Sequence, residues 1–384
     1  MALNNRAAAK KFLFLSPTRT ITLSFAAVIL CGTLLLMLPA SSKQQIVTSF
    51  LDCLFTATSA TCVTGLIVFD TYSHWSVFGQ TVILCLIQVG GLGLVTLTVF
   101  FNIAIGRKLG LRGMHLAQES VASIDSDIQF LIKIVISTAL IVELAGALVL
   151  MTVMIPIYGT EGIYISIFLS ISAFCNAGFD ILGRESPFAS LTNYNSHPTV
   201  LITIGLLIII GGIGFIVIHD IIAAHKNRRQ LTLHTRIVLV VTSILILSGM
   251  LFTAVLEWNN PQTLGSLPSV EQKFLAAWFH SVSCRTAGFN SIAVENLYDI
   301  TQILSSLFMS TGAAPGSPRG GIKCTTAAVI FMTVYCVIRG DDDTTIFHRR
   351  VLKNAVYKSF AVAILGGLAV VITAGCIVVT MQKT

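Results

Sequence analysis

Three short stretches of this sequence carry residue types that could handle a metal cation. Residues 59–66 read Ser-Ala-Thr-Cys-Val-Thr-Gly-Leu, residues 172–179 Ser-Ala-Phe-Cys-Asn-Ala-Gly-Phe, and residues 281–289 Ser-Val-Ser-Cys-Arg-Thr-Ala-Gly-Phe. Each follows an apolar stretch too short to cross a bilayer, at 50–60, 163–174 and 274–282. A loop at the end of such a half-length helix can point backbone carbonyls at one axis and replace the hydration oxygens of a monovalent cation. Glycine supplies the torsion angles this needs, and the small neighbours Thr64, Ala177 and Ala287 leave room for close approach. The candidate filter residues are Cys62, Val63, Thr64 and Gly65 in the first loop, Asn176, Ala177 and Gly178 in the second, and Thr286, Ala287 and Gly288 in the third. One such glycine is as readily a turn residue. Three of them, 113 and 110 residues apart, point to a repeated ion-binding loop.

A rival chemistry rests on Cys62, Cys175 and Cys284, each just ahead of a loop glycine. Three converging thiols could hold a soft metal, making this an intramembrane metal-binding protein, or could act as nucleophiles. No base is repeated beside them; His280 is the single nearby candidate. Cysteine as a small apolar filler is the favoured reading. The sequence shows no aspartate dyad, Ser/His pairing, His-Glu-x-x-His or phosphate-binding glycine loop, and no catalytic residue is assigned.

The elements that would position the loops are membrane-length helices. The chain has 384 residues, of which 54% are hydrophobic and 11% charged, with a mean hydropathy of +0.85. About 25% charge is usual for soluble domains. The order is a full span, a half-helix with its loop, and a second span. It occurs at 21–38, 50–66 and 77–105, at 130–155, 163–179 and 199–222, and at 237–256, 274–289 and 301–338. A further apolar run at 360–379 is the first helix of a fourth unit. The expected fold is therefore an all-α polytopic membrane protein with pseudo-fourfold pore architecture. It divides into a cytoplasmic segment (1–20), repeats at 21–113, 114–230 and 231–340, and an incomplete fourth repeat at 341–384 that begins with a cytoplasmic loop. On this count a truncated, non-conducting fragment, or one part of a split transporter, is an alternative.

The net charge of +7 does not indicate nucleic acid, because the basic residues cluster at alternate ends of the spans. Arg6, Lys10, Lys11 and Arg19 precede the first span; Arg107, Lys108 and Arg112 follow the second; Lys226, Arg228 and Arg229 follow the fourth. That asymmetry places the N-terminus in the cytoplasm of a multi-pass protein of the cell membrane. Nine cysteines, mostly within apolar runs or loops, form no disulfide framework. Residues 21–38 are long for a signal-peptide core and are expected to remain as a helix.

After the first two loops come paired glycines, in Gln88-Val89-Gly90-Gly91-Leu92-Gly93 and Ile209-Ile210-Gly211-Gly212-Ile213-Gly214. Close helix packing is their expected role. In the third copy, residues 309–323 hold two prolines and four glycines and cannot continue a helix. Irregular backbone at membrane depth survives only where it is buried in protein or lines water, so this segment is expected to line the pathway. Lys133 is expected to snorkel toward the cytoplasm. Glu143 is open between a structural ion pair or helix cap and a place near the pathway, and Asp341-Asp342-Asp343 reads as solvated loop rather than a metal cluster.

Residues 63–71, 172–179 and 285–290 resemble the pore loops of the Ktr/Trk/HKT superfamily of potassium transporters, above all its KtrB-type potassium-uptake subunits. Residues 88–93 and Gly320-Gly321-Ile322-Lys323 match further stretches of that family, and the similarity covers nearly the whole chain. The resemblance implies four helix-loop-helix repeats around one pore, one filter glycine per loop, and potassium as the main ion. It further implies often sodium-dependent activity with no covalent cofactor, and homodimers in the lipid bilayer on a cytoplasmic nucleotide-binding regulatory ring of the KtrA type. It makes residues 312–323 the intramembrane gate loop, with Gly312, Pro315, Gly316, Arg319, Gly320, Gly321 and Lys323 as its key members. Pro318 and Arg319 stand where the family usually has small residues, and a fourth pore loop is absent from these 384 residues. The cysteine rival is tested by metal analysis of the purified protein. The loop reading expects no bound zinc or copper, whereas stoichiometric zinc would support the thiols.

Overall fold

The first expected span forms helix α1 (Pro17–Leu36) in a computed structural model that describes residues 17–93, 128–184, 186–317, 320–341, 343–347 and 349–381. The helix ends at Leu36, and Pro39 opens a tight 3-10 turn beyond it, Pro39–Ser41. A half-length helix α2 (Phe50–Thr61) follows, then an extended return. Asp70 caps the short helix α3 (Thr71–His74), its Oδ1 accepting from the Ser73 amide at 2.7 Å. Ser76 caps α4 (Val77–Leu92) in the same way.

The second copy gives a long helix α5 (Ile128–Tyr158), a half-helix α6 (Glu161–Cys175), and α7 (Pro198–Ile213) followed by α8 (Phe215–Asn227). The third gives α9 (Leu233–Glu257), the half-helix α10 (Val270–Ser283), α11 (Asp299–Ser310) and α12 (Cys324–Arg339). A last apolar helix, α13 (Lys353–Met381), is exposed throughout its spanning length. The mostly helical, apolar architecture agrees with the expected fold class. A two-stranded hairpin, β1 (Thr345–Ile346) with β2 (Arg349–Arg350), is a small addition; Asp343 and Arg350 pair beside it at 2.7 Å.

Among the described residues, three helices are long and apolar enough to cross a membrane: Ile134–Tyr158, Leu233–Glu257 and Lys353–Thr380. The pair α7 and α8 makes a fourth if counted together. Two spans expected to be continuous are interrupted. The 77–105 span stops as a helix at Leu92, because Gly93 takes φ +78°, and its remainder from 94 onward lies outside the described residues. The 199–222 span breaks at Gly214, φ +85°. Both glycines close the Gly-Gly-x-Gly pattern, whose third glycine permits a left-handed torsion that side-chain-bearing residues rarely adopt. Residues 1–16 of the expected N-terminal segment (1–20), Pro318, Arg319, Asp342 and the Lys133 side chain also lie outside what is described.

The chain forms two compact units, Met1–Gly211 with Ala287–Ala293, and Gly212–Thr286 with Val294–Thr384. In the first, α1 packs on α2 and α4, α2 on α4, α5 on α6, and α4 on α6. In the second, α9 is the hub for α8, α10, α11 and α12. Both hold a half-helix against a long helix by the same device. Ser170 on α6 donates to the Glu143 carbonyl at 2.6 Å and Ser281 on α10 to the Ile246 carbonyl at 2.7 Å. Three residues after each acceptor is a glycine, Gly146 or Gly249, with no side chain to keep the serine away.

In the second unit α8 is fastened to the start of α9 through Asp220. Its Oδ2 accepts from the Thr232 amide (3.0 Å), the Thr232 hydroxyl (2.9 Å) and the Thr235 hydroxyl (2.6 Å), while Oδ1 accepts from Arg229 Nη2 at 2.6 Å. Replacing Asp220 by Ala leaves these donors short of an acceptor. We expect Asp220→Ala to lower stability by about 2 kcal/mol, with Asp220→Asn intermediate, measured by thermal unfolding in detergent.

Candidate permeation site

The candidate site begins at the ends of the half-helices. In copies one and two, the last helical carbonyls press onto the helix beyond the loop. A methyl group on Gly90 would overlap the Thr61 carbonyl oxygen, and one on Gly211 would overlap that of Phe174. Gly91 meets Cys175 in the same manner. The paired glycines thus do provide close approach, and the partner is the half-helix of the same copy or the next.

Beyond each half-helix end the loops share one torsion pattern. The residue two before each glycine is left-handed, Val63 at φ +55°, Asn176 at +59° and Thr286 at +67°. The glycines are left-handed as well, at +84°, +71° and +86° for Gly65, Gly178 and Gly288. Two successive side-chain-bearing and glycine departures of this kind turn the intervening carbonyls together, as an ion-lining loop needs. The third loop carries one more residue between cysteine and glycine, so the torsions pair Arg285, and not Cys284, with Cys62 and Cys175. Counted from the glycines the candidate filter residues keep one register, and only the cysteine of the third loop falls out of it, by one residue.

The three glycines meet. A methyl on Gly65 would lie 2.7 Å from the Ala177 oxygen; one on Gly178, 2.6 Å from the Ala287 oxygen and 2.8 Å from the Gly288 Cα; one on Gly288, 3.0 Å from the Gly178 Cα. Any larger residue there clashes as well as strains. The returns are tied down within the same unit. Ser172 donates to the Phe179 carbonyl at 2.6 Å, and the Asn290 carbonyl accepts from the Leu191 amide at 2.9 Å. The Asn195 side chain donates to the Ser291 carbonyl at 2.7 Å, and Asp70 Oδ2 accepts from the Phe188 amide at 3.1 Å. Asp70, Asn195 and Asn290 were not singled out in the sequence; Asp70, three residues ahead of Ser73, carries a readable capping signal.

The segment 312–323 forms a strap, described except for 318 and 319. Its arms hold each other through Gly312 N to Ile322 O (2.8 Å), Ile322 N to Ser310 O (3.2 Å) and Cys324 N to Ala313 O (3.1 Å). It also fills the break at Gly214. The Ala314 amide donates to the Gly212 carbonyl at 3.1 Å, and Gly214 faces the Pro315 carbonyl closely enough that a methyl would sit 3.0 Å from it. Carbonyls freed by a broken helix need partners where water is scarce, and the strap supplies one. Val217, Val238, Ala314 and Cys324 are buried together as the seat.

The family description "Cation transport protein", that of TrkH, matches residues 3–383. The chain belongs to the TrkH family. Ktr system potassium uptake protein B of Bacillus subtilis is 40% identical, over 92% of this chain and 78% of the relative. Ktr system potassium uptake protein B of Vibrio alginolyticus is 37% identical over 95% and 79%, and the potassium/sodium uptake protein NtpJ of Enterococcus hirae 35% over 90% and 75%. The crystal structure of the potassium transporter TrkH from Vibrio parahaemolyticus aligns with a TM-score of 0.61 at 18% identity, covering 91% of this chain and 69% of that one, a likeness of fold. TrkH-family members are membrane transporters, so the absence of a catalytic assignment is in keeping with the family.

Within this TrkH-family chain the remaining candidates separate. Among the described residues Glu143, buried in α5, has no ion-pair partner and caps no helix. Both carboxylate oxygens accept from Gln88 Nε2 at 3.1 Å, and the Cys175 thiol lies 3.9 Å away, so it braces the base of the second loop. His280 Nε2 lies 3.3 Å from the Cys284 sulfur and 3.2 Å from the Ser305 hydroxyl. Among the described residues no three His, Cys, Asp or Glu side chains gather as a metal site would require, so the thiol reading finds no donor set there. Glu143→Leu leaves the Gln88 amide without its acceptor. It is expected to lower stability by about 1–3 kcal/mol and impair transport, while Glu143→Gln, which keeps an acceptor oxygen, retains more of both, read by unfolding and ion-flux assays side by side.

Proposed function

We propose that this chain carries potassium into the cell through a pore whose narrowest part is the cluster of Gly65, Gly178 and Gly288. The convergence of three repeat-spaced, left-handed glycines is the observation that carries this reading. Carbonyls from Cys62 to Gly65, Asn176 to Gly178 and Thr286 to Gly288 take the place of hydration oxygens. Flexible backbone dipoles at short range favour a monovalent ion that dehydrates readily. The names of relatives at 35–40% identity, all potassium or potassium/sodium uptake proteins, support the same ion. The glycines lie in contact here, with a methyl on Gly178 only 2.8 Å from the Gly288 Cα, so conduction requires the loops to separate.

The strap at 312–323 is the gate in this proposal, with Gly312, Pro315, Gly316, Gly320, Gly321 and Lys323 as its moving part and Arg319 its charge. Its support is its irregular backbone, which rests on few hydrogen bonds and on the seat at Gly214. A "Ktr system" name for two relatives supports a multi-component assembly. We accordingly propose a homodimer bearing a cytoplasmic nucleotide-binding regulatory ring, with the N-terminus on the cytoplasmic side where the basic residues cluster. The repeats 21–113, 114–230 and 231–340 are its pore-forming modules. Sodium dependence is proposed on the potassium/sodium name of the third relative.

The test is expression in a cell lacking its own potassium uptake. Restored growth at low potassium is expected, and failure, with the protein present in the membrane, would overturn the proposal. Gly178→Ala should abolish rubidium uptake, because its methyl would lie 2.6 Å from the Ala287 oxygen at a torsion alanine disfavours. Undiminished uptake by that variant would remove the glycine cluster from the pathway.

A further inference from the structure

Among the described residues, no counter-charge pairs with Arg285. The residue is 2% exposed. Among the described residues its one hydrogen bond, out of five possible N–H donors, is a long 3.5 Å contact from Nη2 to the Thr242 hydroxyl on α9, and its buried Nε finds no partner there. No carboxylate among the described residues lies within ion-pair distance of it. Arginine keeps its proton in proteins, so neutralisation by proton loss does not relieve the site. A buried unpaired cation is costly in a membrane protein, and such groups mark ion pathways.

Its place in the chain is specific. By the torsion register, Arg285 takes the position filled by cysteine in the other two loops, immediately ahead of the left-handed residue. Gly288 lies three positions further on, a reach of at most about 10 Å along the backbone. A fixed positive charge at that range, in surroundings poorer in water than bulk, weakens the binding of any cation to neighbouring carbonyls. Conduction needs binding strong enough to admit an ion and weak enough to release it. Loops built wholly of inward carbonyls lean toward strong binding, and a single buried guanidinium offsets this.

We propose that Arg285 is a specificity-determining residue: its charge lowers potassium affinity at the third loop and so sustains turnover. This rests on the glycine loops being the filter. In the growth-competent parent, Arg285→Gln should lower the KM for potassium about five- to tenfold and lower the maximal rate, whereas Arg285→Lys, which keeps the charge, should stay near the parent. Thr242→Asp places a carboxylate beside the guanidinium and should lower the KM in the same direction without altering Arg285. An unchanged or raised KM in Arg285→Gln, or a fall in maximal rate alone, would overturn the charge proposal and leave Arg285 a packing residue. If Arg285→Gln does not accumulate in the membrane, Thr242→Asp decides by the same criterion, and failure of both to accumulate also overturns it. Gly178→Ala separates the two readings. Loss of uptake there with a parental KM in the Arg285 variants refutes this inference alone, while intact uptake refutes the filter itself.

Discussion

The contact on which the site depends is that of a half-helix's last carbonyls with a glycine on the next helix. Thr61 lies against Gly90, and Phe174 against Gly211, with no room for a methyl group at either. A half-helix that ends inside a membrane leaves carbonyls without helical partners. Seating that end tightly against bare backbone fixes where the loop starts, and thereby where its glycine arrives. Serine bonds to the Glu143 and Ile246 carbonyls of long helices hold the second and third half-helices as well.

The same need to satisfy backbone groups explains the strap. A helix broken at Gly214 exposes the Gly212 carbonyl, and the Ala314 amide is delivered to it. An irregular segment held by a handful of hydrogen bonds and a small apolar seat is more easily displaced than a helix, which suits a part that must move. The α8–α9 junction, clamped by Asp220, holds one side of that seat through Val217 and Val238.

Hydropathy and the repeat of about 110 residues made the helical membrane architecture legible, because bilayer thickness dictates span length directly. The half-helices were legible from being too short to span. The breaks at Gly93 and Gly214 were not, since glycine in an apolar run is compatible with helix, and only packing decides whether it takes a left-handed torsion. Counted back from the glycines, Val63, Asn176 and Thr286 hold one register, and the extra residue of the third loop lies at the helix end, which takes Cys284 out of line with Cys62 and Cys175. Glu143 was visible as a buried acid, yet its partner Gln88 is 55 positions away and no local pattern links them.

What the sequence by itself determined is which residues could be loops, how often they recur and which spans must lie in lipid, because these properties come from hydrophobicity and length. Tertiary structure alone decided that Gly65, Gly178 and Gly288 touch, that the strap fills the break at Gly214, and that Arg285 is buried with no counter-ion among the described residues. Each of those depends on the approach of segments far apart in the chain. Contact distance is a property of their packing, which no stretch of residue types encodes by itself.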